Sequence, residues 1–156
     1  MYKQTVLYVL LILAIIGHFG PMEAQQLGRT DPVAVANTFL KNLKTKDYPA
    51  ILSIMPEEQR KEYSMILKNN PKDIERIFSK DRKKAGKIMQ VSELRKMTTF
   101  SGKPGIAAKV KKKGREVFVI ILSKEGEEYC YENSLSLTAK LYKELTFIQK
   151  VKYETP

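Results

Sequence analysis

GREVFVIILSKEGEEYCYEN, residues 114–133, holds two strands and the turns that bound them. Lys113-Gly114 makes a tight turn at its start. VFVIIL (117–122) follows as six apolar residues without a break. A half-exposed strand shows a polar residue at every second position, so an unbroken run reads as a central strand covered on both faces. Phe118, Ile120 and Leu122 are expected on one face and Val117, Val119 and Ile121 on the other. Glu125-Gly126 makes the next turn. Glu128 to Glu132 then alternates, with Tyr129 and Tyr131 on one face and Cys130 on the other.

The extended pattern continues in both directions. Upstream, Ile106, Ala108 and Val110 alternate with Ala107, Lys109 and Lys111, as in a half-buried strand. SGKPG (101–105) reads as the turn before it, and residues 88–99 as an earlier strand of mixed faces. Downstream, Leu141, Tyr142, Leu145, Phe147 and Ile148 fit a short helix or a last strand, and a helix followed by a strand accommodates them best. VKYETP (151–156) is expected to fray.

Before residue 87 the period is helical. Asp31-Pro32 is a cap followed by a first-turn proline, and Val35, Ala36, Phe39, Leu40 and Leu43 form one apolar stripe ending near Lys44–Thr45. Asp47 caps a second, short helix with Ile51, Leu52 and Met55 inside. Residues 57–69 place Tyr63, Ile66 and Leu67 on one side, with acids first and Lys68 last, as the helix dipole favours. Asn70-Pro71 opens a fourth helix with Ile74, Ile77 and Phe78 facing inward and Gly86 as its stop. Helices first and an antiparallel meander second define an α+β domain over residues 31–150, with N-terminal helices packed on one face of an antiparallel sheet.

MYKQTVLYVLLILAIIGHFGPMEAQQ (1–26) has Lys3, an apolar run from Val6 to Ile16, the breaker pair Gly20-Pro21 and small Ala24. That is the layout of a secretory signal. The run is shorter than the ~20 residues that span a bilayer. Residues 1–24 are therefore expected to be a signal peptide and 25–30 a linker, which places the domain in the periplasm or outside the cell. Large Met22 near the cut keeps open the alternative of an uncleaved membrane anchor. With one cysteine, Cys130, no internal disulfide forms, and burial of the thiol in its strand is expected.

The net charge is +11, but it is local. Residues 60–115 hold 18 Lys+Arg against 5 Asp+Glu, whereas residues 116–156 hold 5 against 7. Two runs are densest: Lys109, Lys111, Lys112, Lys113 and Arg115, and Arg82, Lys83 and Lys84. Simple alternation puts Lys109, Lys111 and Lys113 on one strand face, and the two runs together suggest an anion-binding edge. The plainer reading is that these lysines guard a sheet edge against pairing with another chain. The turns at Lys113-Gly114 and Glu125-Gly126 bound the same strand, so a bipolar domain follows. Lys111–Arg115 sit at one tip and Glu125, Glu127 and Glu128 at the other, with Lys140, Lys143 and Lys150 expected to matter much less to the basic tip.

The chemistry is thin. The only histidine, His18, lies in the expected signal, so Ser-His-Asp and Cys-His catalysis and imidazole zinc ligands are excluded from the mature chain. SGKPG lacks the GxxxxGK[ST] spacing of a phosphate loop. No catalytic residue, metal site or cofactor is expected. Acid–base work by a carboxylate and a tyrosine stays open, with Asp47 and the pocket candidates Tyr48, Tyr63, Tyr129 and Tyr131. Asp47 is also explained by capping, Tyr48 by packing, and Tyr129 with Tyr131 as a sheet face with wet hydroxyls.

The order of elements resembles the nuclear transport factor 2-like superfamily, a cone of curved antiparallel sheet wrapped on helices. DPVAVANTFLKNLKTKDYPAIL (31–52) is similar to its opening helix, K-D-Y turn and second helix. GREVFVIILSKEGEEYCYEN is similar to its late hairpin. The likeness extends to bacterial exported domains of unknown function in that superfamily. Those often carry a tryptophan after the turn, where this chain has Tyr129 and no tryptophan anywhere. The resemblance covers residues 31–135 and implies a host for enzymes, ligand binders or assembly modules. The expected function is a non-enzymatic exported binding or accessory domain for a small molecule, a peptide, an anionic envelope or membrane surface, or a protein partner. Nucleic acid is disfavoured, because no aromatic residues interleave the basic run. A homodimer is open. The alternative is a small cavity enzyme using a carboxylate and a tyrosine.

Overall fold

Asp31 accepts a 2.9 Å hydrogen bond from the Val33 amide and so starts helix α1, Pro32–Thr45. The computed structural model describes residues 28–152. The expected signal peptide, half of the linker and the last four residues lie outside the described residues. Asp47 caps α2 (Tyr48–Ser53) through the Ala50 amide at 3.1 Å. Helix α3 (Glu57–Asn69) has no fully buried residue and leans on the core through half-buried Tyr63, Ile66 and Leu67. Helix α4 (Pro71–Ala85) buries Ile74 and Phe78, while Ile77, expected inside, is 39% exposed. Asn70 precedes its proline but caps no amide; its side chain donates to Asp73 instead. Gly86 ends the helix at φ 61°, a backbone conformation that favours glycine.

The sheet follows as β1 (Glu93–Thr98), β2 (Pro104–Lys113), β3 (Glu116–Glu125) and β4 (Glu128–Thr138). Helix α5 (Ala139–Glu144) then crosses to β5 (Thr146–Lys150), and the strand order is β4-β3-β2-β1-β5, antiparallel throughout. The fold is α+β, with four helices on one face of an open five-stranded sheet. Pro104 and Gly105, expected in the turn, belong to β2. Proline is tolerated as the first residue of a strand. Gly105 leaves the space that Thr99 fills as the Thr99–Lys103 turn folds over the sheet.

Strand β3 divides its side chains as its alternation requires. Phe118, Ile120 and Leu122 join the main core with α1, α2 and α4, and Val117, Val119 and Ile121 form a second core on the outer face. All six are at most 4% exposed. At about 1.5–3 kcal/mol for full burial of each such side chain, this strand is a principal source of stability. The outer core is closed by Tyr142 of α5 with Leu135, Leu137 and Leu145. Arg95 fastens that cover. It donates to the Lys143 and Leu145 carbonyls at 3.1 and 2.9 Å, pairs with Glu93 at 2.6 Å, and lies 4.8 Å from the Tyr142 ring centre. Burial pushes the Glu93 carboxyl up, but the hydrogen bond and charge of Arg95, helped by Lys109, outweigh it and hold the group below its usual range.

Three bulges interrupt the ladders, and one redirects the basic run. Lys109 faces Val119 and Lys111 faces Phe118, so Val110 is the extra residue. A bulge shifts the strand's alternation by one. Lys109 therefore does not share a face with Lys111 and Lys113, as simple alternation requires.

Candidate anion-binding site

Helix α4 ends where the β2–β3 hairpin begins, and a cleft of about 280 Å³ lies between them. Its walls are Lys83 and Lys84 from α4 and Lys111 and Lys113 from β2; Glu116, Phe118 and Ser136 complete it. Phe118 is 4% exposed and sits under the Lys84 ammonium, 5.8 Å from ring centre to Nζ. Lys111 is half-buried, and its Nζ reaches the end of α4 beside Gly86.

Four ammonium groups against one carboxylate leave a net charge of about +3. The C-terminus of α4 supplies roughly half a negative elementary charge, which eases the crowding but does not cancel it. None of Lys83, Lys111 and Lys113 makes an ion pair among the described residues. Lys84 feels the nearby Asp81 carboxylate.

The other members of the two basic runs go elsewhere. Arg82 turns toward α2, donating to Tyr48 Oη at 3.2 Å and meeting Glu75 at 3.4 Å. Two helical steps of about 100° set Arg82 on the side of α4 away from Lys84, which lies over Phe118. Arg115 lines neither cleft of this end; its carbonyl accepts the Ala139 amide at 2.7 Å and ties α5 to the hairpin tip. Lys109 and Lys112 face outward into a second, smaller cleft of about 150 Å³ with Glu93, Arg95, Tyr142 and Lys143. Lys143, expected to be remote, is thus a neighbour of Lys112. Strand β2 is paired with β1 only over Pro104–Lys109, and beyond it Lys111, Lys112 and Lys113 pair with β3 alone, so these lysines also stand on an unpaired stretch of strand edge, where the edge-guarding reading places them.

The opposite end of β3 is not an acidic tip. Glu125 meets Lys103 at 2.6 Å, Glu128 meets Arg29 at 3.3 Å and Glu127 meets Lys124 at 3.9 Å. Its acids are matched one for one, two of them by Lys103 and Arg29, which the linear charge count places in other segments.

Three of the four tyrosines expected to line a pocket converge, but on the core. Tyr48, Tyr63 and Tyr131 all pack around Phe78, with ring centres 6.0 to 6.5 Å away. Tyr131 is stacked on Phe39 at 4.0 Å and only 3% exposed. Its hydroxyl is not wet; it is buried against Ser134 Oγ at 3.2 Å, and burial raises its pKa strongly. Tyr129 stands apart, in a cleft of about 460 Å³ with Lys96, Met97, Ile106 and Lys124. Cys130 is buried as expected; Arg29 donates to its sulfur at 2.8 Å, and burial pushes the thiol up.

One group escaped notice in the sequence. Asp81 of α4 faces Ser134 of β4 near Tyr131 and Tyr63, and burial raises its carboxyl above the ordinary range despite Ser134 and Lys84. The available signal was spacing: Asp81 follows Ile74 and Phe78 at seven and three residues and so lies on the inward face.

Among the described residues no group of three or more His, Cys, Asp or Glu side chains could hold a metal ion, and no helix is long and apolar enough to cross a membrane. No protein-family model, curated protein or solved structure matches the chain.

Proposed function

We propose that the chain is an exported, non-enzymatic binding domain that takes an anionic ligand in the cleft between α4 and the β2–β3 hairpin. The observation that carries this is the set of lysines 83, 84, 111 and 113. They converge on one recess from two distant segments, with an apolar floor and a single carboxylate. Like charges gathered this closely cost stability unless something matches them. At the other end of the same strand the protein does match them. The order of helices and strands supports placing the domain among nuclear transport factor 2-like proteins, whose sheets host binding sites. The layout of residues 1–24 supports export.

Tripolyphosphate titrated into the full chain by calorimetry tests the reading. Binding is expected to weaken about tenfold in Lys111→Gln/Lys113→Gln, which removes two of the four charges, and to weaken further with salt. An equal loss from Lys68→Gln/Lys72→Gln would show that net charge alone attracts the anion. Lys72 lies at the start of α4, about 16 Å from Lys83 along the helix, and Lys68 lies just before it in the last turn of α3.

The cavity-enzyme reading has one observation in its favour, the raised Asp81 carboxyl near a tyrosine. It is the weaker reading. The Tyr131 hydroxyl is already bonded to Ser134 inside the core, and Asp81 lines none of the clefts described above.

A further inference from the structure

We infer that the basic end recognises a linear polyanion, a flexible polymer of phosphate or phosphodiester units, that passes round the β2–β3 hairpin and occupies the clefts on both faces of the sheet. The inference rests on the anion-binding reading of the inner cleft and extends it to the ligand's class.

The two clefts are built alike. The inner one sets Lys83, Lys84, Lys111 and Lys113 against Glu116, and the outer one sets Arg95, Lys109, Lys112 and Lys143 against Glu93. Each carries a net charge of about +3, and only one hairpin separates them. The Val110 bulge makes this division: without it Lys109, Lys111 and Lys113 would share the outer face, and Lys112 would be the one lysine β2 gives the inner cleft. Arg115 stands exposed at the turn between the clefts. Tyr142 closes the outer cleft from beneath: it is 3% exposed, and its hydroxyl lies beside Glu93 and Arg95.

The shape of the site selects the ligand. A single small anion fills one cleft and leaves the other unmatched. A flat charged surface meets the tip but reaches recesses on only one face at a time. A flexible chain with a charge on every unit satisfies both clefts and the turn between them. Seven basic residues of the two clefts and the turn form no ion pair among the described residues; six are lysines and the seventh is Arg115, all exposed or half-buried, and lysine binds phosphate as an adaptable point charge. Linking occupancy of two weak sites raises overall affinity without any new contact.

The test measures binding of tripolyphosphate, long-chain polyphosphate and anionic phosphatidylglycerol vesicles to the full chain. Wild type is compared with the inner pair Lys111→Gln/Lys113→Gln and the outer pair Lys112→Gln/Lys143→Gln. If the half-buried Lys111 position proves necessary for folding, Lys83→Gln/Lys113→Gln, both exposed, replaces the inner pair. The expected result is at least about tenfold tighter binding of the long polymer per mole of phosphate, with both pairs weakening it and only the inner pair weakening tripolyphosphate. Equal affinity for short and long chains, with the outer pair silent, overturns the polymer inference and leaves the inner-cleft reading standing. Binding to vesicles but not to soluble polymer also overturns it, in favour of a membrane surface. Binding to none of the three overturns both readings.

Discussion

The two ends of strand β3 are both crowded with charge, yet they treat it in opposite ways. Beyond Glu125, each acid has a base within ion-pair distance: Lys103, Arg29 and Lys124. Before Glu116, lysines from β2 and α4 face one another across a cleft with a single carboxylate among them. A ten-residue strand is roughly 33 Å long, several times the Debye length of about 8 Å at physiological salt, so neither end relieves the other. Matched charge at one end is a structural solution. Unmatched charge at the other, held in a recess rather than dispersed on a surface, is what the proposed anionic ligand would complete.

The largest effect comes from breaking the strand that holds the ends apart. Ile120 is fully buried between the main core and its neighbours in the sheet, so Ile120→Asp places an unpaired carboxylate there. A loss of about 4 kcal/mol is expected in chemical denaturation, a large share of the roughly 5–15 kcal/mol that holds a typical domain folded. A variant that denatures at the wild-type midpoint would show that β3 is not interior. Next in size is the contrast between the ends themselves. Lys111→Gln/Lys113→Gln is expected to weaken tripolyphosphate binding about tenfold and to leave stability unchanged or slightly higher, because repulsion is relieved. Lys103→Gln/Lys124→Gln removes the same charge from the matched end and is expected to leave binding within about twofold.

A smaller effect sharpens the boundary of the basic cleft. Burial raises the Asp81 carboxyl in the folded state, so folding favours its protonated form. Its contribution to stability is fully present below the unfolded carboxyl value, about pH 4, and is lost as the pH rises through the folded value. Asp81→Asn is therefore expected to stabilise the protein at pH 7 and to remove that part of the pH dependence, read as the denaturation midpoint between pH 4 and pH 7. A loss of stability at pH 7 would mean that the carboxylate is held by partners rather than strained by burial. The smallest effect belongs to the matched end. Glu125→Gln breaks one exposed ion pair with Lys103, and no resolvable change in midpoint is expected.

Local pattern carried the fold because each element rests on short-range chemistry. Asp31 and Asp47 cap as their positions require, Gly86 and Gly114 adopt positive φ, and the unbroken VFVIIL run is buried on both faces. The site was half legible. Lysines 111 and 113 and the run at 82–84 were visible as two basic segments, but which side chains meet depends on facts that no local pattern contains. The Val110 bulge turns Lys111 and Lys113 away from the face of Lys109, the helical step turns Arg82 toward Tyr48, and the α5 crossover brings Lys143 to Lys112. The acidic tip was misjudged for a related reason. Lys103 and Arg29 lie far from Glu125 and Glu128 in sequence, and only the folded sheet pairs them. Ile77 and Tyr131 show the same limit in the core. Helical spacing left Ile77 indistinguishable from buried Ile74, and alternation could not reveal that Tyr131 stacks on Phe39.

The contrast between the ends is tested most directly by amide chemical-shift mapping of the full chain during titration with tripolyphosphate at physiological salt. Shifts are expected to concentrate at residues 83–87, 111–118 and 136, with residues 99–104 and 124–129 unmoved. Shifts spread evenly over lysine-bearing segments, or centred on Lys103 and Lys124, would contradict a ligand site at the unmatched end.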